Sequence, residues 1–484
     1  MLSIAATGAQ KLTRTCLGAA APVCHAGGVI GSGTMLATDP RGEPLSVGEA
    51  ASVARLEGAL FDVLGFTGDP LDKLDAALAA DPDLLLGHLL RADILLFALQ
   101  PGFSARVAGS LAAVEARLER ATPRERLHLA AARAWAAGDH AGAGRAFDEL
   151  LTAHPRDLQA LMFAHQADFF GNGGDRLRER PRRALASWGG ELPGHGFVQA
   201  MLAFGLEEAG EYAAAERLGR AAVEANPKDV WAIHAVGHVL EMQGRDAEGI
   251  AWYEARETDW APGNYFAVHN AWHLALYHAD RADHTAALAV YDRLIKPGPR
   301  SILLNLCDAT ALLWRLDLAG IEVGGRWQEL ADLMAPHALA RVHVFDDVHL
   351  AIALAASGHD FALRELLRSL GEQTRAPGEQ GRAARLVALP VAEAMAAFTH
   401  GAYGAAVERL LAVRPRAALM TGSAAQRDVL ELTLIEAALR DGQRSLAREF
   451  LAARLARKPR SAGTLRDLKR CDGGRVPHES HRLQ

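Results

Sequence analysis

The stretch QAMLAFGLEEAGEYAAAERLGRAAVEANP, residues 199 to 227, contains two helical patterns separated by one short turn. Apolar residues recur three and four positions apart on each side of the turn, as they do on one face of an amphipathic helix. Leu202 and Leu206 precede the turn, and Ala215 and Pro227 follow it. This arrangement predicts a helix–turn–helix unit of the kind that repeats about every 34 residues.

The same design occurs upstream in RLHLAAARAWAAGDHAGAGRAFDELLTAHP, residues 126 to 155. In both stretches the step from an alanine after the turn to the final proline is twelve residues, from Ala143 to Pro155 and from Ala215 to Pro227. Units of this kind bury their apolar faces only by stacking. We therefore predict an all-α chain that forms a tetratricopeptide-type helix-turn-helix solenoid, an α/α superhelix with one concave surface.

The helical pattern divides the chain into three parts. Residues 41–453 are predicted to form the solenoid, since no alternating strand pattern competes with the helical one there. Residues 1–40 are interpreted as a disordered leader or as an over-long reading frame whose real start is Met35. Residues 454–484 are basic and rich in Gly, Ser and Pro, which predicts a disordered tail.

Composition argues against several kinds of partner. A formal net charge of −6 over 484 residues gives no reason to expect nucleic acid or an anionic membrane surface. No apolar run approaches the roughly 18 residues of a membrane-spanning helix. The four cysteines lack the spacing of a zinc knuckle or a disulfide framework, which favours a reducing compartment. We predict that the protein binds neither nucleic acid nor membranes.

The stretch IHAVGHVLE, residues 233 to 241, places two histidines and a carboxylate on one helix face, at His234, His238 and Glu241. The repeat pattern has a packing leucine and tyrosine at the two histidine positions. The next unit has the same substitution at His269 and His273, each 35 residues after its counterpart. Two neighbouring helices are therefore predicted to carry H-x₃-H at equivalent positions.

Acidic residues continue this spacing. Asp308 lies 35 residues after His273, and the following unit contains Asp347 in the stretch FDDVH. Upstream, His165 and Asp168 stand on a comparable first helix. Because stacked helices lie about 10 Å apart, these side chains can form one polar cluster between the repeats.

Three interpretations of this cluster stay open at the level of sequence. Histidines four residues apart on a helix converge on one metal ion, and a carboxylate completes the ligand set, so the cluster is a candidate metal or small-molecule site. A closed network of hydrogen bonds that fixes the repeat register is the second interpretation. Separate roles at the surface are the third.

The insertion at residues 170–196 interrupts the array and has two interpretations. It is either a solvated helix with Pro181 near its start or an anion-binding rim on the concave side. The arginines in question are Arg176, Arg178, Arg180, Arg182 and Arg183.

Several motifs occur in order and resemble the tetratricopeptide repeat protein 38 family. They are AFGLEEAGEYAAAERLGRAAVEANPKDVWAIHAVGHVLEMQGRDAEGIAWYE, HNAWHLALYHA, VYDRLI, LLWRL and FDDVHLAIAL. The resemblance is specific in residues 155–357 and looser from about Pro40 to about Leu451. It implies a tetratricopeptide-type solenoid located in the cytoplasm, with the histidine motifs as part of the family pattern. It supplies no catalytic residues.

The fold favours a binding module that holds a protein or peptide segment, or a small molecule, in the concave groove. Asn264, Arg256 and Glu208 are predicted to line the open side of that groove. The interior cluster would then hold a small ligand or a metal ion.

The alternative function is a metal-dependent hydrolase. It would bind a divalent ion through two to four of the histidines His234, His238, His269 and His273. A carboxylate would serve as a further ligand or as the general base that takes a proton from water, the candidates being Glu241, Asp308 and Asp347.

Overall fold

The computed structural model describes residues 35–98, 101–171, 173–299, 302–337 and 343–472. Two short strands begin this part of the chain, and helices make up most of the rest. As far as the arginine-rich insertion, the elements are β1 (Met35–Thr38), β2 (Pro44–Val47), α1 (Ala51–Gly65), α2 (Pro70–Ala80), α3 (Leu85–Phe97), α4 (Ser104–Glu115), α5 (Pro123–Ala136), α6 (His140–Ala153), α7 (Leu158–Phe170) and α8 (Arg176–Leu185).

The middle and C-terminal parts are helical throughout the residues described. The middle helices are α9 (His195–Glu208), α10 (Tyr212–Ala225), α11 (Val230–Met242), α12 (Asp246–Glu254), α13 (Glu257–Trp260), α14 (Ala267–Asp280), α15 (His284–Val290), α16 (Leu303–Leu318), α17 (Arg326–Met334) and α18 (Val344–Ser357). The C-terminal helices are α19 (Asp360–Gln373), α20 (Gly378–Ala383), α21 (Leu389–Thr399), α22 (Tyr403–Val413), α23 (Ala424–Arg440), α24 (Arg444–Arg457) and α25 (Ala462–Cys471).

An aspartate after each repeat proline starts the next helix. Asp157 and Asp229 stand two residues after Pro155 and Pro227. Their side chains accept hydrogen bonds from the backbone N–H groups of Ala160 and Ala232, which are among the four N–H groups that a helix start leaves free. These caps set where α7 and α11 begin, and so they set the register of the side chains that follow.

The helices stack as the repeat pattern predicts. Helices α9, α11, α14, α16 and α18 form a row in which each contacts the next, and the helix that follows each in the chain packs beside it. The apolar core consists mainly of two large clusters, one N-terminal and one C-terminal, which meet on α9. This confirms the all-α, tetratricopeptide-type solenoid. Among the residues described, every helix is too short or too polar to span a membrane.

An N-terminal segment and a C-terminal segment of the described residues contact the middle of the solenoid. The side-chain amide of Asn264 donates to the backbone oxygen of Gly65 at 2.8 Å. Glu208 accepts a hydrogen bond from the backbone N–H of Ala424 at 2.9 Å. Arg256 lies over the ring of Trp252 at 3.6 Å. The residues expected to line an open groove are therefore engaged by the chain itself, which weighs against a long peptide as the ligand.

The prediction of a disordered tail is wrong for residues 454–472, because these residues include the end of α24 and all of α25. Sequence composition missed this because the basic residues there have acidic partners. Arg454 donates to Asp428 at 2.9 Å, and Ser461 caps the start of α25. The remaining tail, residues 473–484, and residues 1–34 of the expected leader lie outside the described residues.

Neither interpretation of the insertion fits its helix, α8. Each of its five arginines has an acidic partner, and Arg180, only 2% exposed, pairs with Asp168 and Asp148. Pro181 lies inside the helix and not near its start. The other pairs are Arg176 with Asp168, Arg178 with Glu211, Arg182 with Glu179, and Arg183 with Asp148. Ion pairs therefore hold α8 against neighbouring helices, and the positive charges of its arginines are compensated by carboxylates.

The N-terminal hairpin is a second departure from the predicted organisation, since residues 35–40 were assigned to a leader. β1 and β2 pair antiparallel with Met35 opposite Val47. Strands of four residues are too short to show an alternating pattern. Leu45 and Val47 are fully buried in the N-terminal apolar cluster.

A buried ionic network holds this hairpin on the solenoid. Arg124 of α5 donates to Asp157 at 2.6 Å and lies 3.2 Å from Asp39 in the turn after β1. Arg41 donates to the same Asp39 at 3.1 Å. These four side chains are at most 1% exposed. Because the charges are out of water, each depends on its partner.

We predict that Arg124→Met lowers the free energy of unfolding by about 3–5 kcal/mol, because it leaves Asp157 and Asp39 buried with less compensation. Urea unfolding monitored by circular dichroism measures this. The matched control is Arg133→Met, which breaks an exposed pair with Glu115 and is expected to cost only about 0–1 kcal/mol. Equal losses in the two variants would contradict the assignment of the network.

Candidate functional site

Helices α11 and α14 bring the two H-x₃-H pairs together. His234 and His238 lie on the face of α11 that contacts α14, which carries His269 and His273. One ring nitrogen from each of the four histidines lies within 4.8 Å of the others. His234, His238 and His273 are at most 2% exposed. We call these four residues the histidine cluster.

The ring nitrogens of the histidine cluster meet at short distances. His269 Nε2 is 3.1 Å from His234 Nε2 and 3.3 Å from His273 Nε2. His238 adds two nitrogens that have no hydrogen-bond partner within the described part of the chain. The cluster is therefore a group of converging nitrogens that is not closed by its own hydrogen bonds.

Two carboxylates fix the tautomers of two of the rings. His269 Nδ1 donates to Asp308 at 2.8 Å, and His273 Nδ1 donates to Glu241 at 2.8 Å. An ionised carboxylate only accepts hydrogen bonds, so the proton of each neutral ring is on Nδ1 and its Nε2 is a lone pair. When both rings are neutral, the 3.3 Å contact between the Nε2 atoms of His269 and His273 faces two lone pairs toward each other.

Burial keeps the rings of His234, His238 and His273 neutral. Removal from water lowers the pKa of His238 to about 4. It also lowers the pKa of His234 and of His273 well below the ordinary value, and the neighbouring histidines add to that effect. A proton carried by one of these three rings is therefore a poor bridge at neutral pH.

The geometry suits a metal ion. Two nitrogen ligands held at about 2.0–2.1 Å from zinc at the tetrahedral angle lie about 3.3 Å apart, which is close to the separations between these Nε2 atoms. Metal-binding histidines commonly donate their other N–H to a carboxylate, which orients the ring and strengthens the ligand. Asp308 and Glu241 make these contacts with His269 and His273.

The other residues singled out in the sequence have different surroundings. Asp347 lies in the first turn of α18 beside Asp346 and is not among the residues within ligand distance of the histidine cluster. His165 packs edge-on against Phe204 and Trp231, and Asp168 pairs with the arginines of α8. Glu241 and Asp308 contact histidines, as orienting carboxylates would.

Sequence reasoning missed Glu207, a buried carboxyl on α9. Its Oε2 lies 3.3 Å from His238 Nδ1, outside hydrogen-bond geometry. Burial, with a contribution from Glu241, raises the pKa of Glu207 to about 8. Glu207 stands 34 residues before Glu241, so the repeat spacing already marked it. Glu208, next to it, also lies within ligand distance of His238.

The histidine cluster forms one end of a cavity of about 240 Å³ that is partly open to solvent. His234, His238, His269 and Asp308 line that end. The walls are mainly aromatic, with Phe66, Phe97, Phe169, Phe170, Phe204, Trp231, Phe266 and Phe345 among the lining residues. These rings come from segments far apart in the chain, from Phe66 directly after α1 to Phe345 on α18. No local sequence motif could therefore have predicted the cavity.

Comparison with known proteins identifies no family. No protein-family model matches the chain. A solved structure of the human IFIT1 dimer with PPP-AAAA is 13% identical, over 87% of this chain and 88% of that chain, with a TM-score of 0.35. A solved structure of a monomeric IFIT1 mutant with Gppp-AAAA is 14% identical, over 88% of this chain and 95% of that chain, with a TM-score of 0.38.

A third solved structure, the P58(IPK) TPR domain, is 16% identical over 81% of this chain and 99% of that chain, with a TM-score of 0.20. Similarity at this level carries no information about ligand or activity. The site must be judged on its own geometry.

The raised pKa of Glu207, about 8, predicts a pH dependence of stability. Between pH 4.5 and 8 the folded protein keeps a proton on this carboxyl that the unfolded chain has released, so the contribution of Glu207 to stability falls as pH rises through that window. Glutamine cannot titrate. The stability of Glu207→Gln relative to the unsubstituted protein should therefore increase from pH 5 to pH 8, by about 1 kcal/mol or more.

Urea unfolding of the metal-free protein at both pH values measures this difference, in which the titration of groups that do not interact with Glu207 cancels. Glu211→Gln, which removes an exposed carboxylate paired with Arg178, is the control and should show no such trend. A pH-independent difference for Glu207→Gln would show that the carboxyl is ionised in the folded protein.

Proposed function

We propose that this protein is a repeat protein with an internal binding site, and that the histidine cluster binds one divalent transition-metal ion. The observation that carries the proposal is the 3.3 Å contact between the Nε2 lone pairs of His269 and His273. Both rings have their protons committed to carboxylates on the other side. A cation between the two nitrogens turns a repulsive contact into two bonds.

The alternative of a purely structural network is weaker. Such a network would satisfy its own members, yet both nitrogens of His238 and the Nδ1 of His234 have no hydrogen-bond partner in the residues described. Each polar atom buried without a partner costs about 1–3 kcal/mol. An ion that binds one nitrogen from each ring removes part of that cost. A network that only fixes the repeat register has no need for unpartnered nitrogens.

Nitrogen ligands narrow the choice of ion. Imidazole suits zinc, copper, iron and nickel, whereas calcium and magnesium prefer oxygen. The distances between Nε2 atoms agree with a small ion bound at about 2.0–2.1 Å, the range for zinc. Zinc is therefore the ion that we propose first and use as the probe.

A metal-dependent hydrolase is the second candidate. It is favoured by one observation: His234, His238 and His269 line the cavity, whereas His273 is fully buried behind them. An ion there would supply a Lewis acid at the end of a cavity. Turnover of a p-nitrophenyl ester above a free-zinc control would support this candidate.

Membership of the tetratricopeptide repeat protein 38 family is also a proposal. It is supported by the position of the motifs, since residues 155–357 span α7 to α18 and so include the row that carries the histidine cluster. A cytoplasmic location would follow from that membership. The absence of nucleic-acid binding stays a prediction from the net charge, and a filter-binding assay with single-stranded RNA at low salt tests it.

The metal proposal predicts one equivalent of zinc per chain in protein purified without a histidine tag and measured by inductively coupled plasma mass spectrometry. His269→Ala should abolish that binding because it removes the central ligand. Asp308→Asn should weaken zinc affinity by about 10–100-fold, since it removes a carboxylate that orients His269. Competition with a chromophoric chelator gives the affinities.

The matched control is His400→Ala, which removes an exposed histidine bonded within its own helix. This variant should bind zinc like the unsubstituted protein. Sub-stoichiometric zinc in the unsubstituted protein after reconstitution, or equal binding by the His269 and His400 variants, would refute the site.

A further inference from the structure

The cavity beside the histidine cluster has the size of a small organic molecule. A protein cavity of about 150 Å³ holds one benzene molecule, and this one measures about 240 Å³. By that scale it takes a body of roughly ten non-hydrogen atoms. A folded peptide or a nucleotide is too large.

The walls select an apolar body. Trp231 and Phe204 have ring centroids 5.2 Å apart, and Phe66 lies 4.8 Å from Phe266. These four rings and Ile94 line the cavity. Burying apolar ligand surface against them contributes about 25 cal/mol for each Å² removed from water. The ring nitrogens of His234, His238 and His269 line the same cavity, so a ligand that coordinates an ion there needs one polar end in addition to an apolar body.

Access to the ion is also directional. His273 is fully buried and does not line the cavity, whereas His234, His238 and His269 do. A further ligand of an ion in the cluster must therefore approach through the cavity.

The charges around the ion favour an anionic end. Lys458 Nζ is 3.6 Å from Glu241, and Arg315 lies over the ring of Trp272 at 5.4 Å. These two side chains and a divalent ion carry four positive charges. The carboxyls of Glu241, Asp308 and Glu207 carry three negative charges if all of them are ionised, so one positive charge is left over. Glu208 has its own cationic partner in Arg427. One monoanion neutralises this environment, whereas an ammonium group is repelled by it.

We propose that the cavity binds a monocarboxylic acid with an apolar body of about ten non-hydrogen atoms, its carboxylate coordinated to the ion in the histidine cluster. The assignment rests on the proposed metal site. The same geometry describes either a stored ligand or the acid released by hydrolysis of an ester or amide of that size.

Isothermal titration calorimetry of the full-length, zinc-loaded protein with octanoate tests this assignment. Octylammonium and 1-octanol have the same chain with a cationic or neutral end, and acetate has the same end without the chain. We expect octanoate to bind at least tenfold more tightly than each of these three, and at least tenfold more tightly to the zinc-loaded protein than to the zinc-free protein.

Ile94→Trp is the matched variant, because it fills the cavity from α3 and leaves every histidine in place. It should lose octanoate binding at least tenfold and retain one equivalent of zinc. Thr67→Phe fills the cavity from a different segment and serves if the first variant does not fold, as judged by circular dichroism and zinc content.

The outcomes separate the two proposals. If zinc binds but octanoate does not, or if octylammonium or 1-octanol binds equally well, the carboxylate assignment is overturned and the metal site stands. If the reconstituted protein binds no zinc, both fall. If octanoate binding survives both cavity-filling variants with zinc retained, the acid binds elsewhere and the assignment is overturned.

Discussion

The interaction on which the site depends is the pair of hydrogen bonds from His269 to Asp308 and from His273 to Glu241. Each bond places the ring proton on the side away from the cluster, and so it points a lone pair inward. Without the carboxylates the rings could turn their N–H groups toward one another and close the network. With them, the inner nitrogens are directed into the cluster, where the proposed cation would bind.

This arrangement follows directly from repeat stacking. The carboxyl of Glu207 on α9 lies beside His238 on α11, Glu241 on α11 bonds a histidine on α14, and a second histidine on α14 bonds Asp308 on α16. Acid and histidine thus alternate across four successive helices of one row. A solenoid can support such an array because equivalent positions on neighbouring repeats lie side by side. The same row supplies part of the aromatic wall of the cavity, which couples the polar cluster to an apolar space.

The sequence predicted the parts of this structure that depend on periodic spacing. The 35-residue offset between the histidine pairs was enough to place them on adjacent helix faces, because both pairs stand on the first helix of their repeat unit. Residues 291–295 form a π-helical segment, which shifts the repeat register after that point. The 35-residue spacing therefore did not predict the position of Asp347 relative to the histidine cluster. The hairpin at residues 35–47 and the cavity were not predictable in this way. The first has strands too short to show a pattern, and the second is built from residues as far apart as Asp62 and Gln426.

The most direct test of the metal site is an anomalous difference map from crystals of the zinc-reconstituted protein, with data collected on both sides of the zinc absorption edge. The account predicts a single strong peak inside the histidine cluster, about 2.0–2.1 Å from the Nε2 atoms of His269 and His273, with their Nδ1 atoms still bonded to Asp308 and Glu241. A map without a peak there, together with rings turned so that N–H groups and lone pairs match, would contradict it.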